Sequence, residues 1–418
     1  MSGFAYHNGV LHADGVPVPE LAQEHGTPLY IYSAATIRAQ YSALSGAMQT
    51  ALPAHRQPLL CYACKANSNI AILALLQSLG CGLEVVSEGE LFRGLKAGFN
   101  PARIITTSFG KTAHEIEAYL AADIHQINIE SAPELEMVND IAGRLGKMAS
   151  IVFRLNPDIA GGGHSKISTG RKGDKFGLSA EDITALYARA GAMKNLRPLG
   201  LSVHIGSQVF TVEAFKPAFE KMAALVKTLR DAGHTVERLD IGGGFPVIYN
   251  DEKLLDLQDY ANWVRDIILP LDTEIQMEPG RYLVANSGIL LSRAAYIKQS
   301  GDKQFLTLDA GMNDLIRPAM YDAYHGIIPV ENADRKAVTY DIAGPVCESS
   351  DIFAKGRAIP ELRQGELVAI ETAGAYGFSM ASNYNSRPLP AEVLVDNGTA
   401  RLIRKRQTLD DLIAGEAA

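Results

Sequence analysis

Between Leu59 and Met277, eight apolar, β-branched runs recur at intervals of about 31 residues, each followed by a stretch of helical spacing. This rhythm constrains the fold most, because one βαβ unit consumes about that much chain. The expected strands are Leu59–Cys64, Gly82–Val86, Ile104–Thr107, Gln126–Glu130, Ser150–Leu155, Gly200–Ile205, Arg238–Ile241 and Glu274–Met277. Between them, Ile70, Leu73, Leu76 and Leu79 share a helical face, with Gly80 placed as a C-cap. Ser131-Ala132-Pro133-Glu134 reads as a capping box opening a helix over Pro133–Leu145, and Thr211–Ala232 reads as a long amphipathic helix closed by Gly233. Eight strands alternating with helices predict an α/β fold of the (β/α)8 TIM-type barrel, with an open doubly wound sheet as the alternative.

After about Val284 the helical spacing gives way to short strand-like runs: Gly288–Ile297, Phe305–Asp309, Ala337–Ile342, Glu366–Glu371 and Ala391–Val395. Asp396-Asn397-Gly398 marks a hairpin turn before Arg401–Arg404, and Phe4–His12 reads as one further strand. The expected organisation is a barrel over residues 32–283 and a mostly β domain made of residues 1–31 plus 284–418. At 418 residues the chain is too long for one ordinary core. A net charge of −8 argues against nucleic acid as a partner and for a cytoplasmic, enzyme-like protein. No apolar run reaches spanning length, so no membrane segment is expected, and Met1–His7 lacks the pattern of a signal peptide. The four cysteines make no disulfide framework at this length. Cys61 and Cys64, three apart on a strand, point to opposite faces, and no metal is expected there.

Barrel chemistry sits just after the strands, so the strand exits are where functional groups are sought. Lys65 follows the first strand; taken alone it reads as a surface lysine, but partly desolvated it can hold an aldehyde cofactor as a Schiff base. His204, on the sixth strand, reads either as a satisfied core histidine or as a ring stacked on a flat cofactor. Gly242-Gly243-Gly244 after the seventh strand and Gly280 after the eighth make either a tight turn or a cradle of backbone amides for phosphate. Glu278 ends the eighth strand, where a carboxylate facing a pyridine nitrogen keeps that nitrogen protonated. Arg281 reads as a surface ion pair or as a two-point partner for a carboxylate or phosphate. A lysine, a stacking imidazole, a phosphate cradle and a carboxylate are together the needs of pyridoxal 5′-phosphate.

The motifs Tyr62-Ala63-Cys64-Lys65-Ala66-Asn67, His204-Ile205-Gly206-Ser207-Gln208, Gly242-Gly243-Gly244 and Glu278-Pro279-Gly280-Arg281 resemble those of the diaminopimelate decarboxylases. So do Met312–Pro318, Tyr321–His325, Gly344–Ser349 and Gly374–Gly377. These are fold-type III pyridoxal-phosphate decarboxylases, with an alanine-racemase-like barrel and a β domain, and the resemblance runs nearly end to end. It implies Lys65 as the Schiff-base lysine and His204 as the stacking ring. It implies Ser207, Gly243, Gly244, Gly280 and Tyr376 around the phosphate, and Glu278 at the ring nitrogen. Arg281, Arg317 and Tyr321 would bind a substrate carboxylate, Glu348 the distal amino group, and Tyr376 would also lie near substrate. Cys347 would donate a proton, reaching into the partner's barrel of a homodimer; read without the resemblance, it is a small buried apolar residue. A loop from Lys166 to Gly177 would close over the amino-acid substrate. The implied reaction is decarboxylation of meso-2,6-diaminopimelate to L-lysine, the last step of lysine biosynthesis. The alternatives are decarboxylation of another basic amino acid or carboxylated polyamine, and a pyridoxal-phosphate-binding regulatory protein without catalysis.

Overall fold

The computed structural model describes residues 3–159, 175–331 and 334–417. The chain divides into two compact units: Tyr41–Val247 with Lys253–Tyr282, and Met1–Gln40 with Ile248–Glu252 and Leu283–Ala418.

The first unit holds a closed barrel of eight parallel strands, as the rhythm predicts. They are Leu59–Ala63, Gly82–Val85, Ile104–Thr107, Gln126–Ile129, Ala149–Leu155, Leu196–Val203, Arg238–Asp240 and Glu274–Met277. Closure is made by the eighth strand on the first, with Gln276 opposite Leu59 and Met277 opposite Leu60. Nearly every strand residue is buried, which is why these runs are mostly apolar instead of alternating. The sixth strand begins at Leu196, four residues before the expected Gly200, and shifts register between Pro198 and Gly200. Pro198 donates no hydrogen bond, so it breaks the ladder and hides the early start.

The helix ends follow from local chemistry. Ile70–Ser78 closes as anticipated at Gly80, φ 90°, with Gly80 N–H donating to Gln77 O at 2.9 Å and Cys81 N–H to Leu76 O at 3.2 Å, a Schellman motif. The long segment after Thr211 is shorter than expected: a 3₁₀ turn, Val212–Ala214, precedes the helix Lys216–Asp231 because Pro217 sits in its first turn. At Ser131 only half the capping box forms. Its hydroxyl accepts from Glu134 N–H at 3.3 Å, but Glu134 turns its carboxylate to Glu130 N–H at 2.9 Å and to the buried Lys111 ammonium at 2.5 Å.

The second unit is built on a nine-stranded sheet. Its centre is Leu29–Ser33, which pairs antiparallel with Gly288–Ser300 and parallel with Ala391–Asp396. Leu29 and Ile31, Ile289 and Leu291, and Val393 and Val395 alternate along these strands into one core with Leu11, Val18 and Leu21. Phe4–His12 is not one strand. Asn8 and Gly9, at φ 50° and 78°, turn it into a hairpin of Phe4–His7 and Val10–Ala13, in a small sheet of its own. Asn397-Gly398, at φ 49° and 74°, makes the expected hairpin between Ala391–Asp396 and Thr399–Arg404. No helix among the described residues is long and apolar enough to cross a membrane.

Candidate active site

The barrel brings its candidate residues to one end. Leu59–Ala63 stops one residue before the expected Cys64, which opens a 3₁₀ turn, Cys64–Ala66, carrying Lys65. This exit is tied to that of the eighth strand, since Ala63 N–H donates to Pro279 O at 3.0 Å. Lys65 Nζ lies 3.1 and 2.9 Å from the two carboxylate oxygens of Glu84, on the second strand. Glu84 is fully buried and Lys65 is partly open to solvent. Burial pushes the Glu84 carboxyl up to about 8 despite the opposing pull of Lys65, with Glu278 and Glu90 adding to the rise. Sequence reasoning missed Glu84; its only signal is an acid in the middle of an apolar barrel strand.

Glu278 is buried and receives the Thr107 hydroxyl at 2.8 Å. Thr107 in turn receives Asn128 Nδ2 at 2.8 Å, and the same amide donates to Asp240 Oδ2 at 3.2 Å. Asp240 lies on the seventh strand, and its other oxygen accepts from Gly242 N–H at 3.0 Å. Its carboxyl is pushed well above the usual range, first by burial and then by Glu278, to which it is hydrogen-bonded. Two buried carboxyls in contact do not both ionise, so Asp240 keeps the proton. Thr107, Asn128 and Asp240 also escaped the sequence reading; they are polar residues on strands that otherwise read as core.

His204 follows the sixth strand and is half-buried. Its Nδ1 accepts from Gly243 N–H at 3.3 Å, which puts the ring proton on Nε2. Burial, with the Arg154 and Lys65 charges, lowers its pKa to about 3, so a neutral ring faces the site. The unfolded chain takes up this proton near the ordinary value of about 6.5, and the folded chain does not. Stability from His204 is therefore present above that value and lost as pH falls toward about 3. His204→Phe keeps a flat ring without the titration. Its thermal unfolding midpoint is expected to drop less than the wild type's between neutral pH and about pH 5.

The glycines are required twice over. A Cβ on Gly243 would lie 2.1 Å from Glu278 O, and one on Gly244 would lie 2.6 Å from Gly206 O, with Gly244 at φ 96°. The backbones after strands six, seven and eight thus touch where only glycine fits. Among the described residues the N–H groups of Gly244 and Gly280 have no acceptor, leaving two backbone donors at this rim. Arg281 opens the short helix Arg281–Val284 and donates to Ser207 Oγ at 3.2 Å. A lysine, backbone and hydroxyl donors, a neutral imidazole and the buried Glu278 carboxylate, all on one rim, fit the aldehyde, phosphate, ring face and ring nitrogen of pyridoxal phosphate.

Of the expected loop Lys166–Gly177, only Lys175–Gly177 lies within the described residues. Phe176 packs 4.9 Å from the Arg154 guanidinium, and Gly177 N–H donates to Glu130 at 3.1 Å, while Glu130 pairs with Arg154 at 2.9 Å. This buried pair pins the segment to the fifth strand.

The remaining candidates belong to the β unit. Arg317 and Tyr321 bound one short helix, and Arg317 is buried. Its guanidinium lies 4.5 Å from the Tyr249 ring centroid and 3.0 Å from His325 Nε2. Cys347 and Glu348 lie together on an exposed loop, so Cys347 is not the small buried residue its type alone suggests. Buried Asp351 holds that loop by accepting from Val346 N–H at 2.7 Å and Met312 N–H at 2.6 Å. Tyr376 is held at φ 56°, a left-handed conformation that a bulky residue adopts only under constraint.

Residues 35–285 match the family model for the pyridoxal binding domain of pyridoxal-dependent decarboxylases. Diaminopimelate decarboxylase of Aquifex aeolicus is 43% identical over 98% of this chain and 96% of its own. That of Pseudomonas fluorescens is 44% identical over 100% and 99%. The crystal structure of diaminopimelate decarboxylase from Helicobacter pylori, complexed with L-lysine, superposes with a TM-score of 0.91 at 41% identity, covering 95% of this chain and 98% of that one. The chain belongs to the diaminopimelate decarboxylase family of pyridoxal-dependent decarboxylases.

Proposed function

We propose that this protein is a carboxy-lyase that converts meso-2,6-diaminopimelate to L-lysine and CO2 with pyridoxal phosphate, completing lysine biosynthesis. The observation that carries the reading is the Lys65–Glu84 pair at the exit of the first barrel strand, on the same rim as Glu278 and the phosphate-type glycines. Identity above 40% over nearly the full length to diaminopimelate decarboxylases supports the substrate. When bound, pyridoxal phosphate supplies an aldehyde for the substrate's amine and a ring that accepts the electrons released with CO2.

The chain's own residues do the rest. Lys65 holds the cofactor's aldehyde, and buried Glu84 orients its amine and exchanges a proton with it. Neutral His204 covers one ring face. Glu278 faces the ring nitrogen as a lone anion, because Asp240 beside it stays protonated. Ser207, Gly243, Gly244, Gly280 and Tyr376 hold the phosphate, with Arg281 supporting Ser207. Arg317 takes the distal carboxylate with help from Arg281 and Tyr321, and Glu348 takes the distal ammonium; a diamino diacid needs both signs of partner.

Cys347 returns a proton to the α-carbon. Its exposure supports a role at the barrel of a second copy in a homodimer. Mixed Lys65→Ala and Cys347→Ala proteins are then expected to regain up to about a quarter of wild-type activity, since random pairing leaves one intact site in half of the dimers. No recovery would count against the shared site. Four free cysteines and a net charge of −8 support a cytoplasmic location. CO2 release from diaminopimelate, ornithine, arginine and lysine tests the substrate: turnover of ornithine without diaminopimelate would overturn it.

A further inference from the structure

The contacts of Arg317 carry more than its own role. Arg317 begins the helix Arg317–Tyr321, which stops at Asp322 with φ 51°. Ala323 N–H donates back to Arg317 O at 3.4 Å, and the chain reverses so that His325 lies beside the arginine it followed. His325 is 1% exposed. Its Nδ1 is 2.8 Å from Glu371 O, and its Nε2 is 3.0 Å from Arg317 Nη1.

These partners leave one assignment. A carbonyl oxygen only accepts, so Nδ1 carries the proton and donates it. A guanidinium only donates, so Nε2 offers its lone pair. Both contacts select the same neutral tautomer. The ring's place is set from its backbone as well: Arg357 donates to His325 O at 3.0 Å, and Glu371 N–H donates to Gly326 O at 2.8 Å. Tyr249 completes the setting, edge-on to the imidazole at 5.2 Å with its ring 4.5 Å from the guanidinium carbon. A carboxylate in the place of His325 would neutralise Arg317. A neutral imidazole aims the guanidinium without neutralising it.

We propose that His325 is a positioning residue for Arg317 and, through it, a determinant of selectivity for substrates that carry a second carboxylate. This rests on the function proposed above, in which Arg317 meets the distal carboxylate. Leucine at 325 fills the space and accepts nothing; glutamine can place an acceptor near the Nε2 position. His325→Leu is expected to raise KM for diaminopimelate about tenfold to a hundredfold, the effect of one lost hydrogen bond to a charged group, with a smaller change in kcat. Preference for diaminopimelate over lysine should fall by a similar factor, and His325→Gln should restore much of both. Nitrogen NMR of the wild-type histidines, with or without cofactor, should show a ring protonated at Nδ1 and bare at Nε2 that is missing from the His325→Gln spectrum. A folded His325→Leu protein with unchanged KM and preference overturns the proposal, as does a wild-type His325 protonated at Nε2. If the leucine variant does not fold, the glutamine variant and the nitrogen signals decide. Failure of the wild type to turn over diaminopimelate counts against the proposed function, while the nitrogen signals still test the contact.

Discussion

Lys65→Ala is expected to lower diaminopimelate decarboxylation by about 10³-fold or more and to remove the protein's near-visible cofactor absorbance. The loss follows from the role proposed for the side chain at its strand exit, an amine that holds the cofactor's aldehyde, for which a methyl group is no substitute. The fold should survive, because Lys65 is partly solvent-exposed and the packing of the first strand does not depend on it. The buried partner left behind gives a second readout. Glu84 already titrates at about 8 with Lys65 beside it, and without that cation its carboxyl moves higher. A carboxyl whose folded pKa exceeds its unfolded one stabilises the fold most at low pH, and that stability is lost as pH rises through the folded value. The variant should therefore melt near the wild-type temperature in mild acid and well below it in alkali. Thermal unfolding of the cofactor-free proteins across that range measures the difference, and parallel melting curves would contradict the Glu84 assignment.

Glu278→Gln is expected to lower kcat by about 10²–10³-fold with cofactor still bound, the usual cost of removing one charge-complementary partner from a water-excluded site. Glutamine keeps the shape and can still accept from Thr107, so neither the strand exit nor the chain through Asn128 need move. What it removes is the anion. Asp240 cannot replace it without giving up its own proton, which burial holds in place. Single-turnover kinetics separates this effect from weaker binding: the rate of CO2 release should fall while KM changes little. An unchanged kcat would mean that the ring nitrogen does not depend on Glu278.

The barrel was legible because burial on both faces makes each strand a continuous apolar run, and the runs recur at the length of a βα unit. Leu29–Ser33 carries the same signature and is likewise followed by a helix, Ala34–Ala51, so its central place in the β sheet, and not in the barrel, emerges only from pairing. In the site, the residues at strand exits were legible from position: Lys65, His204, the glycines and Glu278 stand where barrel loops begin. Glu84, Thr107, Asn128 and Asp240 were not, since each lies on a strand that reads as core and only closure of the barrel turns them toward one another. His325 stood in plain view eight residues after Arg317, but its use depends on a chain reversal at Asp322 that residue type does not announce.

The claim beneath all of this is that Lys65 is where the cofactor is held. Reducing the holoenzyme with borohydride, digesting it and mapping the peptides by mass spectrometry tests that directly. The expected result is a pyridoxyl-phosphate adduct on the peptide containing Lys65, absent from Lys65→Ala. An adduct on another lysine, or a reduced holoenzyme with no adduct, would contradict it.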